Sequence, residues 1–176
     1  MKKIFVSGDE NGVLTDTIVS ACTNYGGALV IDKNRIYETG KVPSFMLLRV
    51  GAPLKIDCGG ILVAGDGFSG GISPINSQGI ITVADSDNTD ALPFLKDLNG
   101  TVIGCSMSPC DTVSLSCNKD SHIVSVRRCI TTPDGLFIEP CEISVDCKKN
   151  IPVYPLLAAC CVLLLCGVPC DKGYVI

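Results

Sequence analysis

The residues in this chain that could do chemistry are carboxylates set beside glycines, and thiols. Ser7-Gly8-Asp9-Glu10-Asn11-Gly12 follows the apolar run Ile4-Phe5-Val6 and precedes Val13, Leu14, Ile18, Val19 and Cys22, which recur at helical spacing. Strand, glycine turn and helix in that order make the arrangement whose backbone N–H groups hold phosphates. A working phosphate loop needs Lys after its last glycine and then Ser or Thr for Mg²⁺, and Val13 and Leu14 stand there instead. Asp9 and Glu10 add negative charge where a polyphosphate would sit. The stretch therefore reads as a degenerate phosphate loop that does not take ATP, or as an ordinary first strand-to-helix turn with no ligand.

Two further polar segments follow apolar runs. Gly65-Asp-Gly-Phe-Ser-Gly-Gly71 carries Asp66 and Ser69, and Asp85-Ser-Asp-Asn88 carries Asp85 and Asp87. Open α/β sheets place ligands beyond the C-terminal ends of their strands. Gly8, Asp9, Asn11, Gly12, Asp66, Asp85 and Asp87 are accordingly the candidate ligand-binding residues, for a small molecule or an anion. The glycine-rich segment also reads as a solvated connection, since no positive charge accompanies it. Among the thiols, Cys105 and Cys110 flank the polar Ser-Met-Ser-Pro, and such neighbours suggest access; they are the candidate reactive cysteines. The twelve cysteines contain no C-x-x-C pair, and His122 is the only histidine. No catalytic residue, metal site or cofactor follows from these residues.

The cysteines mostly lie in apolar runs such as Ala159-Cys160-Cys161-Val162, where a free thiol acts as a small hydrophobe. A net charge of −4 gives no basic face for nucleic acid. Lys2-Lys3 is followed by three apolar residues only, too few for a secretory signal, so a cytoplasmic location with reduced thiols is expected. At 176 residues and 47% apolar, with 5% aromatic residues and no Trp, the chain suits one domain with an aliphatic α/β core.

Strands are expected at Ile4–Val6, Ala28–Asp32, Phe45–Val50, Gly60–Ala64, Gly79–Ala84 and Thr101–Gly104. Helices are expected after Gly12 and over Thr89–Leu98, the second capped by Asn88 or Thr89. Lys33–Lys41 reads as a polar link, and Gly51–Gly59 as a turn or short hairpin. After Cys105 the pattern alternates, and Thr112–Cys117, His122–Val126, Leu136–Ile138 and Glu142–Val145 read as antiparallel strands with one buried face. Ile151–Cys170 has no charge until Asp171. Pro155 suits the first helical position and Gly167 the cap, which leaves a helix of roughly 18 Å, too short for a hydrocarbon core of about 30 Å. A buried helix and no membrane span are expected. These elements make a three-layer, Rossmann-like α/β fold with a mostly parallel sheet, helices on both faces and a small antiparallel extension in the C-terminal half.

Gly79-Ile-Ile-Thr-Val-Ala-Asp-Ser-Asp-Asn-Thr-Asp-Ala-Leu-Pro-Phe-Leu95, the strand ending Val102-Ile-Gly104, and Pro155-Leu-Leu-Ala-Ala-Cys-Cys-Val-Leu-Leu-Leu-Cys-Gly-Val168 resemble the second half of the central domain of Mur ligases. Those enzymes use ATP to add amino acids to peptidoglycan precursors. In that alignment Ser7–Thr15 falls where the family has T-G-T-N-G-K-T-T. Asn11, Gly12 and Thr15 match; the loop is one residue longer, and Val13 and Leu14 replace Lys and Thr. Met46–Pro74 carries neither the Glu nor the His that the family places in that region. No substrate domain is expected before Met1, and no amino-acid-binding domain after Ile176. The resemblance thus implies a central-domain scaffold without ATP chemistry, acting through an unidentified protein partner or by self-association. A small-ligand binder and a cysteine-based enzyme or redox protein are the alternatives.

Overall fold

The computed structural model describes residues 1–50, 54–68, 72–74, 79–97, 100–118, 121–147 and 150–176. Its first strand, β1 (Lys2–Ser7), leads through the glycine loop into α1 (Val13–Asn24). Then come β2 (Ala28–Asp32), β3 (Arg35–Thr39), β4 (Phe45–Val50), β5 (Leu54–Ile56), β6 (Gly60–Ala64), β7 (Ile72–Pro74) and β8 (Ile80–Asp85). The remaining elements are α2 (Leu92–Asp97), β9 (Thr101–Ser106), β10 (Val113–Asn118), β11 (Ser121–Val126), β12 (Ile130–Thr131), β13 (Phe137–Ile138), β14 (Cys141–Asp146), α3 (Val153–Leu165) and β15 (Tyr174–Val175).

Eleven strands form one sheet in the order β15-β14-β11-β10-β9-β8-β6-β1-β4-β2-β3. Pairings from β2 through β10 are parallel, and β3 and β11 run against their neighbours. β6 and β8 are buried along almost their whole length, which accounts for their unbroken apolar runs, since a parallel strand covered on both faces has no solvent side. The antiparallel extension appears where the sequence alternates, at β10, β11 and β14.

Both long helices join one core. α3 contributes residues from Leu156 to Cys166, nearly all fully buried, because the sheet at β6, β8, β9 and β10 covers one side and α1 another. A helix apolar all round is stable only when enclosed in this way. Pro152 precedes the first turn and Pro155 lies within it, where a missing N–H costs nothing; Gly167, at φ 79°, follows the last. No helix among the described residues is long and apolar enough to cross a membrane. The second core holds Phe5, Ile56, Leu62, Phe68, Ile80 and Leu95, beneath α2 and the separate β5–β7 pair.

Four local expectations are corrected. Lys33–Lys41 is not a bare link: β3 folds back on β2 as an edge strand, with Lys33 in the left-handed turn at φ 40°. Gly51–Gly59 contains no local hairpin among its described residues; β5 pairs in parallel with the distant β7, and residues 51–53 lie outside the described set. The helix expected from Thr89 begins only at Leu92, after a turn in which Asn88 Oδ1 accepts the N–H groups of Asp90 and Ala91. Leu136–Ile138 does not extend the main sheet, because β13 pairs with β12 in a separate hairpin.

Candidate functional site

Gly12 has no side chain to cap α1, so the helix N-terminus is satisfied from within the loop before it. Asn11 Oδ1 accepts the N–H of Val13 at 3.1 Å. The Asp9 carboxylate accepts the N–H of Leu14 at 3.3 Å, the N–H of Thr15 at 2.8 Å and the Thr15 hydroxyl at 2.5 Å. Asp16 N–H already bonds Gly12 O. The first-turn donors, and with them the positive end of the helix dipole, are thus occupied by the chain's own anion. Asp9 is only 8% exposed, so this carboxylate is built into the loop.

Arg49 fixes the loop from the other side. Projecting from the end of β4 beside β1, its guanidinium donates to the carbonyls of Asp9 and Glu10, the latter at 3.1 Å. It also lies 3.6 Å from the Asp32 carboxylate, both side chains being largely buried. Gly8, at φ 76°, is in backbone contact with the second glycine segment; a Cβ there would come within 2.2 Å of Phe68 N. Gly65 N–H donates to Ser7 O and Gly67 N–H to Gly8 O, so two segments far apart in sequence form one floor.

A cleft of about 520 Å³ opens above that floor, at the C-terminal ends of the parallel strands. The structure brings Gly8, Asp9, Asn11, Asp66 and Asp85 around it, with Glu10 beside them and Pro152, Tyr154 and Pro155 as an apolar wall. Gly12 and Asp87 are not among its lining residues; Asp87 supports Asp85 instead, its N–H donating to Asp85 Oδ1 at 2.9 Å. Ser69 and the rest of 69–71 lie outside the described residues. Partial burial raises the Asp85 pKa above the ordinary carboxylate value, and the neighbouring charges of Asp87, Asp66 and Asp111 push the same way. Tyr154 donates its hydroxyl to the carbonyl of Ala64 at the end of β6, with the Val83 carbonyl of β8 at 3.3 Å, and burial holds its phenol protonated. Among the described residues, four carboxylates and no basic side chain line this cleft, so this lining repels anions and suits a neutral or cationic guest.

The thiol candidates separate. Cys105 is fully buried in β9, and the neighbouring Cys161 thiol together with burial pushes its pKa well up, so the access inferred from its polar neighbours is absent. Its side chain points from the parallel sheet into the core beneath α3. Cys110 is exposed, as expected. Among the described residues no group of three His, Cys, Asp or Glu side chains is placed to hold a metal ion. Sequence reasoning missed Arg49 and Tyr154, and it matched Thr15 to the loop motif without the bond to Asp9. The lone arginine in the apolar run Phe45–Val50 was the available signal for the first.

No known family profile and no curated protein sequence matches this chain. Solved structures do. A UDP-N-acetylmuramoyl-L-alanyl-D-glutamate–2,6-diaminopimelate ligase superposes with a TM-score of 0.61 at 10% identity, over 98% of this chain and 45% of its own. MurF from Acinetobacter baumannii gives 0.56 at 11% identity, over 98% and 44%. A bifunctional folylpolyglutamate synthase/dihydrofolate synthase, solved with Mn, AMPPNP and L-glutamate bound, gives 0.61 at 10% identity, over 97% and 55%. The chain spans about half the length of the structures it matches. At these identities the likeness is one of fold: the protein has a Mur ligase-like α/β fold.

Proposed function

We propose that this chain is a non-catalytic Mur ligase-like domain that does not use ATP and works as a scaffold, through a protein partner or a second copy of itself. The observation that carries this reading is the Asp9 carboxylate on the N–H groups of Leu14 and Thr15. A triphosphate entering the loop would have to displace an internal anion already held by three hydrogen bonds, with no lysine to compensate. Val13, where the phosphate-loop lysine would stand, is an apolar, partly exposed residue on the cleft wall. Calorimetry with millimolar Mg-ATP is expected to show no saturable heat, and a phosphate-release assay no turnover above buffer. Micromolar binding of Mg-ATP by the unmodified protein would overturn the reading. Sedimentation velocity across a concentration series tests the self-association arm.

The cleft favours a second reading, a binder of small ligands. Its acidic lining supports a guest carrying an amine or another positive group rather than an anion. Thermal-shift screening of amines against carboxylates of similar size separates this reading from the scaffold, which predicts no shift with either.

A further inference from the structure

Among the described residues an asparagine or aspartate precedes a glycine at Asn11, Asp66 and Asp134. Such a pair can cyclise by attack of the glycine nitrogen on the side-chain carbonyl, since no Cβ on the glycine hinders the approach. At Asp66 and Asp134 that nitrogen is already engaged. Gly67 N–H donates to Gly8 O at 2.8 Å and Gly135 N–H to Thr132 O at 2.9 Å, and the Asp134 carboxylate is ion-paired with Lys2. Gly12 N–H, by contrast, has no acceptor among the described residues.

We propose that Asn11 and Gly12 form a self-modification site, at which the Gly12 nitrogen closes on the Asn11 side-chain amide, expels ammonia and leaves aspartate or isoaspartate at position 11. The loop assists both ends of the reaction. Asn11 Oδ1 accepts the Val13 N–H at 3.1 Å, at the positive end of α1, so the charge that forms on this oxygen during attack meets a donor already in place. The same bond turns the amide back over the peptide that follows it. Arg49 Nη1 lies 3.7 Å from the point where a Gly12 Cβ would stand, which sets a guanidinium beside the nitrogen that must lose its proton. The opposing charges are Asp9, whose carboxylate is held on the N–H groups of Leu14 and Thr15, and Glu10, which is exposed.

Hydroxide removes the Gly12 amide proton, and the nitrogen bonds to Asn11 Cγ. The Cγ–Nδ2 bond then breaks, and Nδ2 leaves as ammonia after taking a proton from water. Water opens the cyclic imide at one carbonyl to give aspartate, or at the other to give isoaspartate, whose backbone is longer by a methylene. Amide and water become carboxylic acid and ammonia, with no change of oxidation state. Asn11 is exposed but Gly12 is buried, so hydroxide reaches the nitrogen through opening of the loop, and the folded chain reacts more slowly than the unfolded one. Asn11 lines the cleft, so either product adds a carboxylate beside Asp9, Glu10, Asp66 and Asp85 and makes the lining still less receptive to anions.

The test incubates the full chain, folded and in urea, in mildly alkaline heavy-oxygen water and maps the peptides. In the folded chain, residue 11 should lose its amide and gain a heavy oxygen, at a rate that rises in proportion to hydroxide. Asp66 and Asp134 should remain unlabelled there. Asn11→Gln, which can close only a larger and slower ring, should leave position 11 unlabelled over the same time. An Asn11 that stays intact in the folded chain while the urea-unfolded chain converts fully overturns the proposal. So does labelling of Asp66 or Asp134 in the folded chain that keeps pace with Asn11, or a label at position 11 of Asn11→Gln.

Discussion

Replacing Asp9 with Ala removes the acceptor for two backbone N–H groups and one hydroxyl at the start of α1. Loss of a helix cap costs about 0.5–2 kcal/mol, and a buried donor left without a partner costs about 1–3 kcal/mol. The cleft beside the loop lets water reach part of the site, which favours the lower end of both ranges. A loss of about 1–2 kcal/mol is expected, hence a fall in melting temperature of roughly 2–8 °C for a chain of this size. Asp9→Asn keeps one acceptor and should lose about half as much. The decisive measurement is anion dependence: with Asp9 gone, the vacated N–H groups form an anion site, so inorganic phosphate should stabilise Asp9→Ala and leave the unmodified protein unchanged. Urea titrations of both proteins, with and without phosphate at constant ionic strength, measure this. An Asp9→Ala variant within about 0.5 kcal/mol of the original, or equal stabilisation of both proteins by phosphate, refutes the assignment of Asp9 as an internal anion.

Gly8→Ala should destabilise the protein by several kcal/mol, because a Cβ would meet Phe68 N at 2.2 Å and φ is 76°; chemical denaturation of the variant checks this. Asp85 has its folded-state pKa raised by burial and by Asp87, Asp66 and Asp111, so its ionised form costs stability above that pKa and the cost vanishes as the group protonates. Asp85→Asn, which keeps the acceptor for Asp87 N–H, should therefore be slightly more stable than the original at neutral pH, with the difference closing below about pH 4. A urea midpoint lower than the original's at neutral pH would count against this. In the folded, reduced protein Cys110 and Cys129 should react first with a thiol reagent, while Cys160 and Cys166, whose pKa values burial pushes up (that of Cys166 to about 12), should react only on unfolding. Peptide mapping after brief alkylation reads the order.

Elements carried by their own pattern were legible in the sequence. β6 and β8 announce themselves as unbroken apolar runs, and α3 as an uncharged stretch ended by a glycine. β3 was not legible, because an exposed edge strand alternates Arg35, Glu38 and polar neighbours just as a link does, and only its pairing with β2 makes it a strand. In the candidate site, the glycine loop and the acidic segments were visible, as was the loss of the phosphate-loop lysine. Asp9 was read as a charge that repels phosphate; that it fills the anion's place depends on a loop conformation no spacing rule encodes. The Cys105 misreading has a similar origin. Its neighbours in sequence are polar, but its neighbours in space are the core residues beneath α3.

Because α3 follows every strand that it covers, the sheet cannot bury that face as the chain emerges during synthesis. Ile61, Val63, Val83, Ile103 and Leu115 all precede it, and their shared partner helix begins at Val153. At about 5–20 residues per second, the apolar face of β6, β8, β9 and β10 stays open for several seconds before Leu156 and Leu157 leave the ribosome. Parallel pairs such as β1 with β6 add long-range closure to the same delay. Chaperone dependence, aggregation on overexpression and a slow refolding phase should therefore all track the arrival of this one helix, and all should ease when α3 is supplied early, as in a circular permutant that starts at Ile151.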